Sequence, residues 1–210
     1  MKTPQILPIF SKVIYVDYLD LDKNLILEKI KLLSFESIYQ ENSKNFCSIS
    51  KNKRILNTLE FNDLKEKIII PLKKYVYDIL KYHNNEFKIT TSWFTKAKTN
   101  EQSLAHNHSN SFLSGVLYLK TEPKKAGIMF HNFAKNSSWL LKASEYNIYN
   151  SHEYTFNMSE NLIIFFPSEL HHQVLINNQE NERISLAFNF SPTGKVGIEN
   201  SDSEINFNCS

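Results

Sequence analysis

The residues best equipped for chemistry are histidines, and four of the seven in the chain fall in two tight groups, His106-Asn107-His108 and His171-His172. On an extended segment residues i and i+2 point to one side, so His106 and His108 can offer two imidazole nitrogens to one cation. A histidine from the second group can then close a three-sided site. Imidazole donors suit iron, zinc, copper or nickel, and spacing alone does not choose among them. The second group follows Asn161-Leu-Ile-Ile-Phe-Phe-Pro-Ser-Glu-Leu170, a buried-strand run closed by a proline turn. Farther on, Ile184, Leu186, Phe188 and Phe190 alternate with Arg183, Ser185, Ala187 and Asn189. One face of that strand is greasy and the other carries a guanidinium, a hydroxyl and an amide. If the polar face is internal, the arginine needs an anion; if it is the solvated face, an ordinary surface ion pair suffices. His83, His131 and His152 stand alone in their segments and read as surface or hydrogen-bonded histidines. His131, ending a strand just after Phe130, is the one of these that could face the same cavity.

These groups must be positioned by the elements around them. Val13 to Asp17 reads as an early strand. Leu21, Leu25, Ile26, Ile30 and Leu33 recur at helical spacing behind Asp20 or Asp22 as caps. A second helical pattern runs through Phe61, Leu64, Ile68, Leu72, Tyr75, Val76 and Ile79, with Pro71 expected to kink or split it. Between them, residues 39–57 are polar and read as a loop. From about residue 88 the pattern changes to strands: 88–96, 112–119, 127–131, 161–166 and 183–190. Helices first and strands afterwards define an α+β, mainly β, class. The segment from Phe133 to Tyr154, with Trp139, Tyr146 and Tyr149, has the length of a loop that lids a site, although local packing is the more ordinary role of such aromatics.

Composition bounds the rest. A chain of 210 residues, 41% hydrophobic and 13% aromatic, supports a single core and excludes disorder. Lys and Arg number 24 against 22 Asp and Glu, a balance that leaves no dedicated nucleic-acid surface. Two cysteines, Cys47 and Cys209, exclude a disulfide framework and a thiolate zinc site, and neither is assigned a function. With only four glycines, at 115, 127, 194 and 197, neither GxGxxG nor GxxxxGK[ST] can be written. The N-terminus lacks the pattern of a signal peptide and no segment approaches the ~18 apolar residues of a membrane span, so a cytoplasmic protein without a membrane partner is expected.

Three ordered motifs resemble a known family. His106-Asn-His-Ser-Asn-Ser-Phe-Leu-Ser-Gly-Val-Leu-Tyr-Leu119, Phe166-Pro-Ser-Glu-Leu-His-His-Gln-Val174 and Glu182-Arg-Ile-Ser-Leu-Ala-Phe-Asn189 are similar to the iron(II)/2-oxoglutarate-dependent oxygenases, specifically to a subfamily with an HxH motif. The resemblance covers roughly residues 90 to 190. It implies a double-stranded β-helix, a jelly-roll or cupin-like barrel, with the N-terminal helices packed on one sheet. One domain would span 1–196, with a helical part at 1–87 and the jelly-roll core at 88–196, followed by a mobile tail at 197–210. By the same resemblance His106, His108 and His172 are the ligands of Fe(II). His172 is chosen over His171 because it stands two before Val174. Arg183 and Ser185 match the pair that holds the far carboxylate of 2-oxoglutarate, with Tyr118 and Ser114 as additional contacts on the neighbouring strand.

One departure matters. His108 stands where most such enzymes carry a carboxylate, leaving the metal more positive. The activity implied is hydroxylation of a substrate that the motifs do not identify, using O2 and 2-oxoglutarate and releasing succinate and CO2. Two alternatives remain at this level. One is a cupin-like metalloenzyme without 2-oxoglutarate, although the glutamate expected soon after HxH is missing from 109–113. The other is a metabolite-binding jelly roll whose histidines are incidental. Jelly rolls often dimerise, so a homodimer stays open.

Overall fold

The computed structural model describes residues 3–38, 45–133 and 141–208. Trp139 and Cys209 lie outside the described residues.

Two antiparallel sheets face each other. The larger holds β1 (Tyr15–Tyr18), β2 (Phe35–Ser37), β3 (Ser48–Ser50), β4 (Glu86–Ala97), β5 (Leu113–Lys120), β8 (Leu162–Pro167) and β10 (Arg183–Val196) in the order β1-β8-β5-β10-β4-β3-β2. The smaller holds β6 (Gly127–His131), β7 (Glu153–Asn157) and β9 (His172–Val174) in the order β7-β6-β9. This is the jelly-roll arrangement expected, but as a sandwich of two sheets rather than a closed barrel.

The period-2 pattern of β5, β8 and β10 divides the larger sheet into two faces. Leu117, Ile163, Phe165, Leu186, Phe188 and Phe190 form one buried face and pack with Ile30, Leu64, Ile68, Leu72 and Tyr75 of the N-terminal helical part. Val116, Tyr118, Ile164 and Phe166 form the other and pack with Ile128 and Phe130 of the smaller sheet. Both faces are buried, which is why these strands read as near-continuous apolar runs.

Helix α1 (Lys23–Lys31) starts at Asp22, whose carboxylate accepts from the Leu25 N–H at 3.3 Å. Helix α2 (Asn62–Lys73) runs through Pro71, contrary to the expected split, and the chain continues as a π-helical stretch over Lys74–Ile79. Proline removes one N–H from the ladder, and the wider turn that follows, with Leu80 N–H bonded to Tyr75 O at 2.9 Å, keeps the downstream donors satisfied.

Three further expectations are corrected. Residues 39–57 are not wholly loop, since Ser48–Ser50 is a strand between β2 and β4 and Ile55–Asn57 is a turn of 3-10 helix. Its serines and single isoleucine carry too little apolar periodicity to reveal the strand. β10 extends six residues past Phe190. The C-terminal segment folds back, with β11 (Ile205–Phe207) paired to Gly194–Val196 in place of the expected mobile end.

Candidate metal centre

The segment carrying the first two histidines runs along the open edge of the smaller sheet. His106 and His172 exchange backbone hydrogen bonds, N–H to O at 2.9 Å in both directions. The His108 N–H is held by Ser168 O at 3.0 Å. The extended HxH segment forms an isolated bridge rather than a strand, yet the bridge fixes the i, i+2 geometry. His172 pairs with Phe130 on β6, which turns its ring inward with Phe130 and Phe166. His171 turns the opposite way, against Phe133.

The ligand atoms of His106, His108 and His172 all lie within 4.8 Å of one another. His106 Nδ1 lies 2.8 Å from Leu104 O and His172 Nδ1 lies 2.9 Å from Leu170 O. A carbonyl only accepts, so in both rings Nδ1 carries the proton and Nε2 presents its lone pair. The Nε2 atoms of His108 and His172 are 3.3 Å apart. Two ligand nitrogens sharing one ion at about 2.1 Å each would be about 3 Å apart in a facial set, so the spacing suits a cation. Burial, with a further push from the neighbouring His106, lowers His108 to about 4 and His172 to about 3. Both rings are neutral at physiological pH, the state a metal requires. These donors fit a divalent transition metal.

Arg183 answers the question the sequence leaves open, because it is 1% exposed. It pairs with Ala97 of β4, while Ser185 pairs with Tyr118 of β5, so Arg183, Ser185 and Tyr118 share the face turned to the smaller sheet. Nε, Nη1 and Nη2 of Arg183 and the hydroxyl of Tyr118 are buried with no hydrogen-bond partner. Burial lowers the guanidinium and raises the phenol, the latter shift opposed by Arg183 itself. A buried, unpaired cation beside a free hydroxyl is a site built for an anion.

Ser114 lies on the same face but at the other end, with its hydroxyl donating to Asn189 Oδ1 at 2.8 Å and 2.8 Å from that of Ser168. Asn189 donates in turn to Thr91 Oγ1 at 2.9 Å. This network next to His108 is not legible in the sequence, although Asn189 closes the third motif. Trp93, whose ring centroid is 5.8 Å from that of His108, is also new, hidden in an ordinary strand pattern. His131 is not part of the cluster: it stacks on Phe133 at 5.2 Å and its Nδ1 lies 3.2 Å from Glu153. Of the aromatic loop, Phe133, Tyr146 and Tyr149 are exposed.

The two-sheet jelly roll brings together three imidazoles that could hold a metal ion and a buried guanidinium without a hydrogen-bond partner. A family model described as "Putative 2OG-Fe(II) oxygenase" matches residues 91–189, the stretch that holds all three histidines, Ser114, Tyr118, Arg183 and Ser185. That segment is similar to the 2OG-Fe(II) oxygenase family. No curated protein matches the chain. Among solved structures, HygX from Streptomyces hygroscopicus with nickel, 2-oxoglutarate and hygromycin B bound is 9% identical, with a TM-score of 0.60 over 87% of this chain and 84% of that one. The non-heme alpha ketoglutarate dependent epimerase SnoN from nogalamycin biosynthesis is 9% identical, with a TM-score of 0.61 over 91% and 81%. A Pseudomonas putida prolyl-4-hydroxylase is 17% identical, with a TM-score of 0.55 over 86% and 93%. At such identities the likeness is one of fold. No helix among the described residues is long and apolar enough to cross a membrane.

Proposed function

We propose that the protein is an Fe(II)/2-oxoglutarate-dependent oxygenase that hydroxylates its substrate. The observation that carries this reading is the pairing, between the same two sheets, of three metal-competent imidazoles with a buried guanidinium that has no anion. His106, His108 and His172 would hold the iron. Bound there with 2-oxoglutarate, it supplies the activation of O2 in which one oxygen atom enters succinate as CO2 leaves and the other enters the substrate. Everything else falls to the chain. Arg183 binds the far carboxylate through a two-pronged, charge-assisted contact that Lys could not reproduce. Tyr118 and Ser185 flank it as hydroxyl donors. Ser114 lines the end of the same face toward His108 while its hydroxyl steadies Asn189 and Ser168. Phe130 and Phe166, packed on His172, exclude water from the inward side. The free, buried thiol of Cys47 is in keeping with a reducing, cytoplasmic setting. HygX, solved with hygromycin B bound, and SnoN, from nogalamycin biosynthesis, direct the substrate search toward small molecules, and prolyl-4-hydroxylase toward protein side chains.

The test is an anaerobic titration of the Fe(II)-loaded protein with 2-oxoglutarate, following the visible charge-transfer absorption. The wild type and His171→Ala are expected to develop the band, and His172→Ala to lose it together with the metal. Iron retained without any band would refute the co-substrate. Metal retained in both His106→Ala and His108→Ala would refute the ligand set.

A further inference from the structure

The buried atoms without partners are not scattered evenly. Besides Arg183 and Tyr118 they include Nε2 of Gln179 and Oδ1 of Asn177, on the loop that leads into β10. Gln179 is 1% exposed and Asn177 0%. The loop is stitched across the start of β10. On the β4 side, Asn177 Nδ2 donates to Ala97 O at 2.9 Å, and Thr99 Oγ1 donates to Gln179 O at 2.8 Å. On the β5 side, the Glu122 N–H and the Thr121 hydroxyl donate to Gln179 Oε1 at 2.8 and 3.3 Å. Ala97 is the partner of Arg183, and Lys120 is the partner of Ile184. The loop is therefore tied to β4 and to the end of β5 on either side of the start of β10, and the Gln179 side chain is buried there.

The amide's orientation is fixed by chemistry. A backbone N–H can only donate, so the atom it meets on Gln179 is the oxygen, and the NH2 group must face the other way. That leaves a neutral donor, buried and unused, on the loop that leads into the strand carrying an unused guanidinium.

We infer that Gln179 is a specificity-determining residue of the Arg183 pocket, donating from its Nε2 to the same carboxylate that Arg183 binds. The inference rests on the reading of the site as a 2-oxoglutarate site and adds a selection rule to it. A carboxylate offers about four lone-pair directions and a bidentate guanidinium uses two. Gln179 and Tyr118 are placed to take the others. A pocket in which a guanidinium and an amide NH2 converge favours a carboxylate terminus over the corresponding amide, whose own N–H groups would meet these donors and find only hydroxyls and the Asn177 Oδ1 to accept them.

The test compares wild type, Gln179→Glu and Gln179→Leu by calorimetric titration with 2-oxoglutarate and with its distal amide, 2-oxoglutaramate. Fe(II) binding and the ligand-free melting temperature are measured alongside. Gln179→Glu keeps both donors on one oxygen and turns a charged oxygen toward Arg183, so it imitates the ligand from within. Its ligand-free melting temperature should rise, and its affinity for 2-oxoglutarate should fall by about a hundredfold or more. Gln179→Leu should lose about tenfold in 2-oxoglutarate affinity and part of the discrimination against the amide. Both variants should bind Fe(II) as wild type does. If Gln179 only latches the loop, both variants melt lower and those that fold bind 2-oxoglutarate within a factor of about two to three of wild type; that result overturns the inference. If wild type binds no 2-oxoglutarate, the co-substrate reading falls, and the melting temperature alone decides on Gln179. A rise in Gln179→Glu upholds the donor pocket and no rise refutes it.

Discussion

Arg183→Met should stabilise the ligand-free protein while destroying its response to 2-oxoglutarate. Arg183 is 1% exposed and none of its three guanidinium nitrogens has a hydrogen-bond partner, so the folded apo state carries a desolvated charge that only the field of Glu101, without direct contact, offsets. Methionine keeps much of the unbranched stem, fills space adaptably and brings no charge. Replacing unsatisfied buried charge with packed apolar volume is worth about 1–4 kcal/mol. The cavity left by the lost guanidinium takes some of that back. A net gain of about 2 kcal/mol corresponds to a rise of about 4–8 °C in melting temperature for a chain of this size. Ligand reverses the order. At about a hundred times its Kd, 2-oxoglutarate stabilises a protein that binds it by about 2.7 kcal/mol and does nothing for one that does not. The assay is differential scanning fluorimetry in a zwitterionic buffer free of carboxylate, phosphate and sulfate, with and without the co-substrate. The wild type should melt below Arg183→Met in the first case and approach or overtake it in the second. A variant that melts lower than wild type without ligand would show that the guanidinium already has its partners inside the fold, and the anion pocket would be refuted.

Two further outcomes follow from the packing and the ionisation of the core. His108 lies at about 4 and His172 at about 3, both below the unfolded value of 6.5. The unfolded chain therefore binds more protons between about pH 4 and 6.5, so metal-free stability should rise with pH through that window and level off above it. Each pH unit that separates the folded from the unfolded pKa of one histidine is worth about 1.4 kcal/mol, so the loss at the acid end amounts to several kcal/mol. A urea midpoint unchanged between pH 7.5 and 5 would contradict it. Gly115→Ala should destabilise by about 3 kcal/mol, because the new methyl would drive into the Phe188 ring and sit 2.9 Å from Ile164 O. Chemical denaturation measures this, and a change under about 0.5 kcal/mol would show that the sheet yields there.

The sequence exposes those parts of the molecule that repeat a local rule. β5, β8 and β10 announce themselves by apolar content, and Arg183 by standing on the wrong side of a greasy strand. The choice of His172 over His171 comes from motif spacing, and the register with Phe130 gives it a physical cause. Long-range pairing is not legible. β3 is three residues of serine and isoleucine whose strand character comes from pairing with Phe35–Ser37 of β2 on one side and with Lys96 and Thr95 of β4 on the other. Gln179 sits in an Asn- and Glu-rich stretch that reads as loop, and no local pattern says that the loop is tied to β4 and to the end of β5. Ser114 is half legible, since the alternation places it on the inner face but does not reveal that its hydroxyl is shared with Asn189 and Ser168, partners far away in the chain.

In the proposed site the histidine at position 108 would tie the metal and the anion pocket together through charge. Three neutral imidazoles leave the full charge of a divalent ion uncompensated, and Arg183 adds another positive charge on the same face of the sheet. Such a site favours a dianion and holds its metal less firmly than one with a carboxylate ligand. His108→Asp should therefore move the two affinities in opposite directions, tightening Fe(II) and weakening 2-oxoglutarate. With an effective dielectric near ~20, one added unit charge about 6 Å from a ligand charge is worth about 3 kcal/mol before screening, so shifts of tenfold to a hundredfold are the scale to expect. The ring's packing is lost as well. His108 stacks on His172 at 5.1 Å and lies beside Trp93 at 5.8 Å, so the metal-free variant should be less stable than wild type, and more dependent on metal for its melting temperature. Fe(II) and 2-oxoglutarate affinities measured separately by titration decide the matter. If both weaken together, loss of packing outweighs charge at this position; if 2-oxoglutarate binds as before, the charge of the metal's ligand set does not govern the anion pocket.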